Sequence, residues 1–373
     1  MSRENVSRRK FLKYVGAGGV AAAAVGAVGY GAYQYLAPRP MEPLVVVQWG
    51  GSYIEAQKPI ADEFTRKTGI PIVDELHVGG SAAVISRINA DLPSMKRHVI
   101  AAWNAVWAGM DKEGWLAPLT PDKVPVMVEY PDVAKYVGPF SEQIVGLASH
   151  FAGVAWFYRE DLFPKDLQPF DDYDKLLDPR LKGKVMISDM IENVGCSMWL
   201  FALPKGGNEK NPEPGWRFLR ELAEAGQIGI VYSSDTECMS ALSTGDAWVS
   251  LGVPIYAVSL CKEGIPMGAD KSENVKSELD YEGFCVTESP RKEDAYKFMD
   301  FFYQKENNER FASGIGAPAT HPQAKTDPMM WKFYPKPEEV NKCAYLPDHL
   351  YIIQHLDEWQ RRFEEEILPI IKR

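Results

Sequence analysis

The residue types capable of covalent or metal chemistry are present, but not in working spacings. Six histidines, His77, His98, His150, His321, His349 and His355, are scattered along the chain, and none forms H-E-x-x-H. No G-x-S-x-G nucleophile elbow occurs. The cysteines Cys196, Cys238, Cys261, Cys285 and Cys343 include no C-x-x-C pair, so zinc, iron–sulfur and thioredoxin motifs are missing. These thiols either pair as disulfides outside the cell or serve as small buried side chains. Neither a metal nor a cofactor is expected, and no catalytic residue is assigned. Binding chemistry remains. Gly79-Gly80-Ser81 opens a helix, where free backbone N–H groups can cradle a carboxylate or phosphonate. The same three residues also read as a plain turn with an N-cap. Asp189-Met-Ile-Glu192 has the spacing of a capping pair, Asp189 at N-cap and Glu192 at N3, following a strand.

These residues must be positioned by an alternation of strands and helices. Leu44–Gln48 is a β-branched run, read as a buried strand, and a turn at Trp49-Gly-Gly-Ser-Tyr53 follows it. Ile54 to Thr68 has helical spacing and stops at Gly69, with Arg66 and Lys67 in its last turn. Strands at 70–73 and 99–102 alternate with helices through Ile85 and Ile88 and over 106–115. This rhythm predicts parallel strands with right-handed crossovers. The long apolar stretch 143–158 breaks the rhythm and reads as a strand that leaves one lobe for another. A second set follows: strands at 184–188, 228–232 and 247–251, and helices from Met190, over 216–225 and near 238–242. A strand at 283–287, a helix at 293–302 and an amphipathic tail helix over 350–371 complete the chain.

The N-terminus carries its own signal. Arg8-Arg9-Lys10-Phe11-Leu12-Lys13 precedes an uncharged Ala/Gly-rich run ending at Leu36, the pattern of a twin-arginine export leader. Gly16-Ala-Gly18-Gly-Val-Ala21 fits a dinucleotide fingerprint, but no strand precedes it and no acid follows at the required distance. The run is long enough to remain as a membrane anchor, since about 20 apolar residues span a bilayer. With 41 Lys+Arg against 51 Asp+Glu, the chain carries a net charge of −10, and its leader is basic, so the body is strongly acidic. That excludes nucleic acid, which demands basic surface, and is compatible with a cationic ligand.

The order and spacing of several short landmarks resemble extracellular solute-binding proteins of the spermidine/putrescine-binding type, within the type II periplasmic-binding-protein family. They are Trp49-Gly-Gly-Ser-Tyr53, Phe64-Thr-Arg-Lys-Thr-Gly-Ile70, Lys112-Glu-Gly-Trp115, Leu181-Lys-Gly-Lys184, Ser243-Thr-Gly-Asp246 and Gly314-Ile-Gly-Ala-Pro318. The resemblance implies an α/β fold of two lobes, each a mostly parallel sheet flanked by helices, with a ligand cleft between them. It places lobe 1 at 43–151 plus 281–322 and lobe 2 at 152–280 plus 323–373, after a leader or anchor at 1–38. It implies a monomeric binding component of an ABC importer, exported to the periplasm or cell surface. Its partners would be a small amine-containing solute, such as a polyamine or amino-acid derivative, and a membrane permease.

The resemblance also supplies candidate ligand contacts. Trp49 and Tyr53 fall where polyamine-binding members place aromatics after the first strand. There they either cover a cation, at about 0.5–2 kcal/mol per contact, or pack locally. Asp189 and Glu192 match the segment bearing ligand carboxylates, and Glu282 sits where the family keeps an acid before a lobe-1 strand. Trp103, Ala105, Leu251 and Asp280 replace residues expected at the ligand, so this pocket differs from that of the polyamine binders. Trp103 and Ser81 complete the candidate set. Rival readings are a ferric-ion or anion binder of the same fold, and an exported enzyme.

Overall fold

The computed structural model describes residues 41–77, 80–190, 193 and 195–372. The leader, Gly79 and Glu192 lie outside the described residues, as does the side chain of Ser81. Strand β1 (Leu44–Gln48) is a nearly continuous buried run, as a strand covered on both faces must be. Helix α1 (Ser52–Thr68) buries Ile60, Ala61 and Phe64 and stops at a left-handed Gly69. Next come β2 (Ile72–Leu76), α2 (Gly80–Asp91), β3 (Val99–Trp103), α3 (Asn104–Lys112) and β4 (Lys135–Val137). The predicted long strand is two: β5 (Ile144–Ala152) and β6 (Ala155–Arg159). Between them Gly153 takes φ 120, and a Cβ there would stand 2.3 Å from the carbonyl oxygen of Glu278. Only glycine allows that approach.

The chain continues through β7 (Val185–Ser188), α4 (Cys196–Ala202), α5 (Glu213–Glu224), β8 (Ile228–Tyr232), α6 (Asp235–Thr244) and β9 (Val249–Gly252). After these come α7 (Pro254–Lys262), β10 (Met267–Ala269), β11 (Ser277–Glu278) and β12 (Asp280–Val286). Helices α8 (Lys292–Phe302) and α9 (Lys305–Ile315), strand β13 (Ala344–Tyr345) and helix α10 (His349–Glu366) close the chain. A helix starting at Met190 is not what forms. Helix α4 begins at Cys196 behind a left-handed Gly195, whose Cβ would meet the Trp359 ring at 2.8 Å. Asp189 is therefore not the cap of that helix. The sequence reading missed α7 and β10, which are short or nearly apolar all round and carry little periodic signal, and α9, whose buried apolar residues Phe311, Ala312 and Ile315 all fall in its second half.

Two main sheets result, ordered β2-β1-β3-β12-β5-β4 and β10-β6-β9-β7-β8. In the first, β1 pairs parallel with β2 and β3, while β12 runs antiparallel to β3 and β5. In the second, β7 pairs parallel with β8 and β9, while β6 is antiparallel to β9. Strands β5 and β6 continue from one sheet into the other. The chain crosses again beside them, where Glu278 donates its backbone N–H to Val154 at 2.8 Å. Phe64, Phe284, Phe298, Phe302 and Phe311 pack edge-on in the first core, and in the second Trp156 packs tilted on Phe170 and Tyr173 edge-on to Phe201. All five cysteines are free thiols in this structure, four of them buried as small side chains. Among the described residues no helix is long and apolar enough to cross a membrane.

Candidate functional site

Parallel strands deliver their following loops to one edge of a sheet, and ligands bind there. In the first sheet that edge carries the Trp49 turn after β1, His77 after β2, and Trp103 at the end of β3. A buried polar chain holds the first turn. Gln57 donates to Asp74 at 2.5 Å, Gln48 donates to Gln57 at 2.8 Å, and the Trp49 backbone N–H donates to Gln48 Oε1 at 2.9 Å. The Trp49 ring then lies 3.5 Å from His77 and 6.3 Å from Trp103, centroid to centroid.

Glu282 arrives from the antiparallel strand β12. It stands opposite Trp103 on one side and His150 on the other, at an irregularity in the register between Glu282 and Gly283. The Tyr53 hydroxyl donates to Glu282 Oε2 at 3.3 Å, and His150 Nε2 is 3.6 Å from the same oxygen. Tyr53 also meets His150 and Phe311 edge-on. Burial pushes the Tyr53 hydroxyl pKa well up, and the nearby Glu282, Tyr334 and Asp235 push it further. Tyr53 therefore stays a proton donor at any physiological pH.

The second sheet answers with its own strand ends. Asp189 follows β7, its N–H donating to Tyr232 O at 2.9 Å, and Asp235 begins α6 just after β8. The Tyr256 hydroxyl, on α7, donates to Asp235. Burial first, then Asp235, raises the Tyr256 pKa well above its usual value. Asp235 thus raises the pKa of both Tyr53 and Tyr256, which places a second-sheet carboxylate near Tyr53. Of the residues expected at the ligand, Trp49, Tyr53, Trp103 and Glu282 come together. Asp189 lies at the facing strand ends, and Glu192, Gly79 and the Ser81 side chain fall outside the described residues. Asp235, Tyr256 and Tyr334 escaped the sequence reading. An acid three residues past a strand C-terminus was the available signal for Asp235.

Several buried polar atoms in this group have no hydrogen-bond partner within the protein: Trp49 Nε1, both His77 nitrogens, His150 Nε2, Glu282 Oε1 and the Tyr334 hydroxyl. Buried polar groups are almost always satisfied, so the convergence of these unpartnered atoms makes this group the candidate site for a polar molecule. The more open hollow beside Lys305, Arg310 and Lys325 includes none of these residues.

His77 makes a testable contribution. Burial foremost, then the Arg87 cation, lowers its pKa to about 3, against 6.5 normally. Its folded pKa lies below its unfolded value, so the unfolded chain binds the extra proton. Stability from this group is full above the unfolded pKa of 6.5 and drains away as pH falls toward about 3. The slope is at most about 1.4 kcal/mol per pH unit. Urea unfolding of His77→Gln between about pH 6 and pH 4 should show a shallower acid limb than wild type. Equal slopes would mean that His77 charges freely in the folded state.

Two sheets flanked by helices and joined by crossing strands define a two-lobed periplasmic-binding-protein-like fold. The chain belongs to the bacterial extracellular solute-binding protein family, whose sequence profile matches residues 59–337. Such proteins serve ABC transporters. They bind small solutes at the periplasmic or outer cell surface and work with a permease. Solved structures share the fold. The spermidine/putrescine ABC transporter substrate-binding protein PotD of Streptococcus pneumoniae, in complex with calcium and HEPES, is 16% identical. That match covers 86% of this chain and 99% of PotD, with a TM-score of 0.67. AgtB of A. tumefaciens R10, in complex with agropinic acid, is 18% identical over 90% of this chain and 100% of its own, TM-score 0.65. MotA of A. tumefaciens B6, in complex with glucopine, is 14% identical over 88% and 100%, TM-score 0.66. No curated protein sequence matches the chain.

Proposed function

We propose that this protein is the exported binding component of an ABC importer for a small amine-containing solute, taken up between lobe 1 (43–151 plus 281–322) and lobe 2 (152–280 plus 323–373). One observation carries the reading: Glu282 Oε1 is buried and has no partner, beside donors and aromatic rings that are likewise unsatisfied or face it. A carboxylate taken out of water needs a countercharge or a proton. An ammonium group supplies that countercharge. Trp49, Tyr53 and Trp103 add aromatic faces, to which cations are attracted. Asp235 offers a second carboxylate from the other lobe, so a solute with nitrogen at both ends would bridge the lobes and favour closure. The proposed role is that of a monomeric carrier without a catalytic step.

Thermal unfolding of the leaderless protein against polyamines, amino acids, opine-like compounds, phosphonates and metal ions tests this reading. A ligand at about 100 times its Kd adds ~2.7 kcal/mol, a readily visible shift. Stabilisation by amines is the expected result. A response confined to anions would overturn the amine assignment.

The proposed route out of the cell is twin-arginine export, on the strength of Arg8-Arg9 before the uncharged run. Replacing both by Lys should leave unexported precursor in the cell fraction. Undiminished delivery to the cell surface would exclude that route.

A further inference from the structure

Away from the Glu282 group, the second crossing between the sheets gathers four residues that no local motif connects. Glu278 is in β11, Asp280 starts β12, His349 starts α10 and Cys196 starts α4. We propose that Glu278, Asp280 and His349 form a binding site for one divalent transition-metal ion of the zinc class at this crossing.

The donor set comes first. One ligand atom from each of the three residues lies within 4.8 Å of the others, and all three residues are buried. His349 Nδ1 is 3.9 Å from Glu278 Oε1, and His349 Nε2 is 3.8 Å from Asp280 Oδ1. One imidazole gives an ion one nitrogen, so the three donors span up to 4.8 Å; donors bound to zinc at about 2.0–2.2 Å stand roughly 3.3–3.6 Å apart in a tetrahedron, so side-chain movements of about 1 Å complete the geometry. A nitrogen with two carboxylate oxygens leaves room for one more ligand, as zinc commonly takes.

The second observation is independent of that spacing. His349 is 7% exposed and Glu278 5% exposed, yet neither nitrogen of His349 nor Oε1 of Glu278 has a hydrogen-bond partner within the protein. An imidazole buried this far normally donates from one nitrogen and accepts at the other. Here each nitrogen faces a carboxylate at a distance too long for a hydrogen bond, so either one is available to ligate an ion held with the two acids. Among the described residues no lysine or arginine pairs with Glu278, whose one ion-pair contact is His349. The outer contacts fit a metal ligand too. The Cys196 thiol donates to Glu278 Oε2 at 3.3 Å, orienting the carboxylate as outer-shell partners do. Such an ion would tie the start of α10 to the strands crossing between the sheets.

The test uses the purified full chain, stripped with a chelator and titrated with zinc chloride, without any solute. Wild type should bind about one equivalent and unfold at a higher temperature with zinc than without. Glu278→Gln and His349→Gln should each weaken zinc binding by ~100-fold or more, beyond what outer-shell changes cost. Glu278→Gln should fold at least as well as stripped wild type, because it removes one of two adjacent buried charges. Cobalt(II) in place of zinc should give the visible absorption of a low-coordinate site in wild type alone. Failure of wild type to take up either ion at tenfold excess overturns the proposal. So does unaltered zinc affinity in both variants, which would place the ion on other histidines. Should a variant not fold, the wild-type stoichiometry and cobalt spectrum decide.

Discussion

Glu282→Gln is expected to weaken a cationic solute by about 100-fold or more. Removing one partner of a buried charged pair costs roughly 3–5 kcal/mol, and each ~1.4 kcal/mol is tenfold in affinity. The variant keeps the volume and can still accept from the Tyr53 hydroxyl, which donates to Oε2 at 3.3 Å in the wild type. Its unliganded stability should therefore change little, which separates a binding defect from a folding one. Asp235→Asn should weaken a doubly cationic solute further and a singly charged one much less. Asp189→Asn is the comparison, because Asp189 lies at the same sheet edge after β7. Calorimetric titration with the solute identified by thermal unfolding gives the numbers. Full affinity in Glu282→Gln, or tighter binding, would identify the ligand as neutral or anionic and move attention to Gly79-Gly80-Ser81.

The largest stability effect is expected at Phe284. It is buried two residues beyond Glu282 and meets Phe298, Phe302, Tyr303 and Phe311. Phe284→Ala removes a ring that four others use as their common wall, and the sheet behind it limits collapse of the cavity. Truncations of this kind cost ~3–5 kcal/mol. Phe284→Leu should cost markedly less, since it leaves a smaller void. Chemical denaturation monitored by far-UV circular dichroism measures both. A loss under about 1 kcal/mol for the alanine variant would mean that the surrounding rings close the gap. Because β12 carries both residues, a destabilised strand should also loosen Glu282. Solute affinity is therefore expected to fall in Phe284→Ala even though Phe284 is two residues from the acid.

Much of this architecture is written in local patterns. The β-branched run of β1, the apolar spacing of α1 with its Gly69 stop, and the strand–helix alternation all act over a few residues, where periodicity and capping operate. The stretch 143–158 announced a crossing between lobes, and the structure shows β5 and β6 serving the two sheets. Trp49, Tyr53, Trp103 and Glu282 were legible because three of them follow or end strands and the fourth occupies a family position.

Other features have no local signature. The start of α4 at Cys196 depends on Gly195 fitting beneath Trp359, a residue far along the chain. Asp235, Tyr256 and Tyr334 join the Glu282 group only because strand ends from two sheets converge. Cys196 and Glu278 are 82 positions apart, and their contact at 3.3 Å exists because the chain crosses twice between the sheets. The sequence by itself determined the class of fold, the alternation of elements and the acidic, aromatic character of the proposed binding edge, since these follow from short-range hydrophobic and backbone preferences. Tertiary structure alone decided which carboxylates meet which rings and where an imidazole is left between two acids. Those juxtapositions are set by crossover topology, and a side chain's position along the chain says nothing of what the next sheet will bring against it.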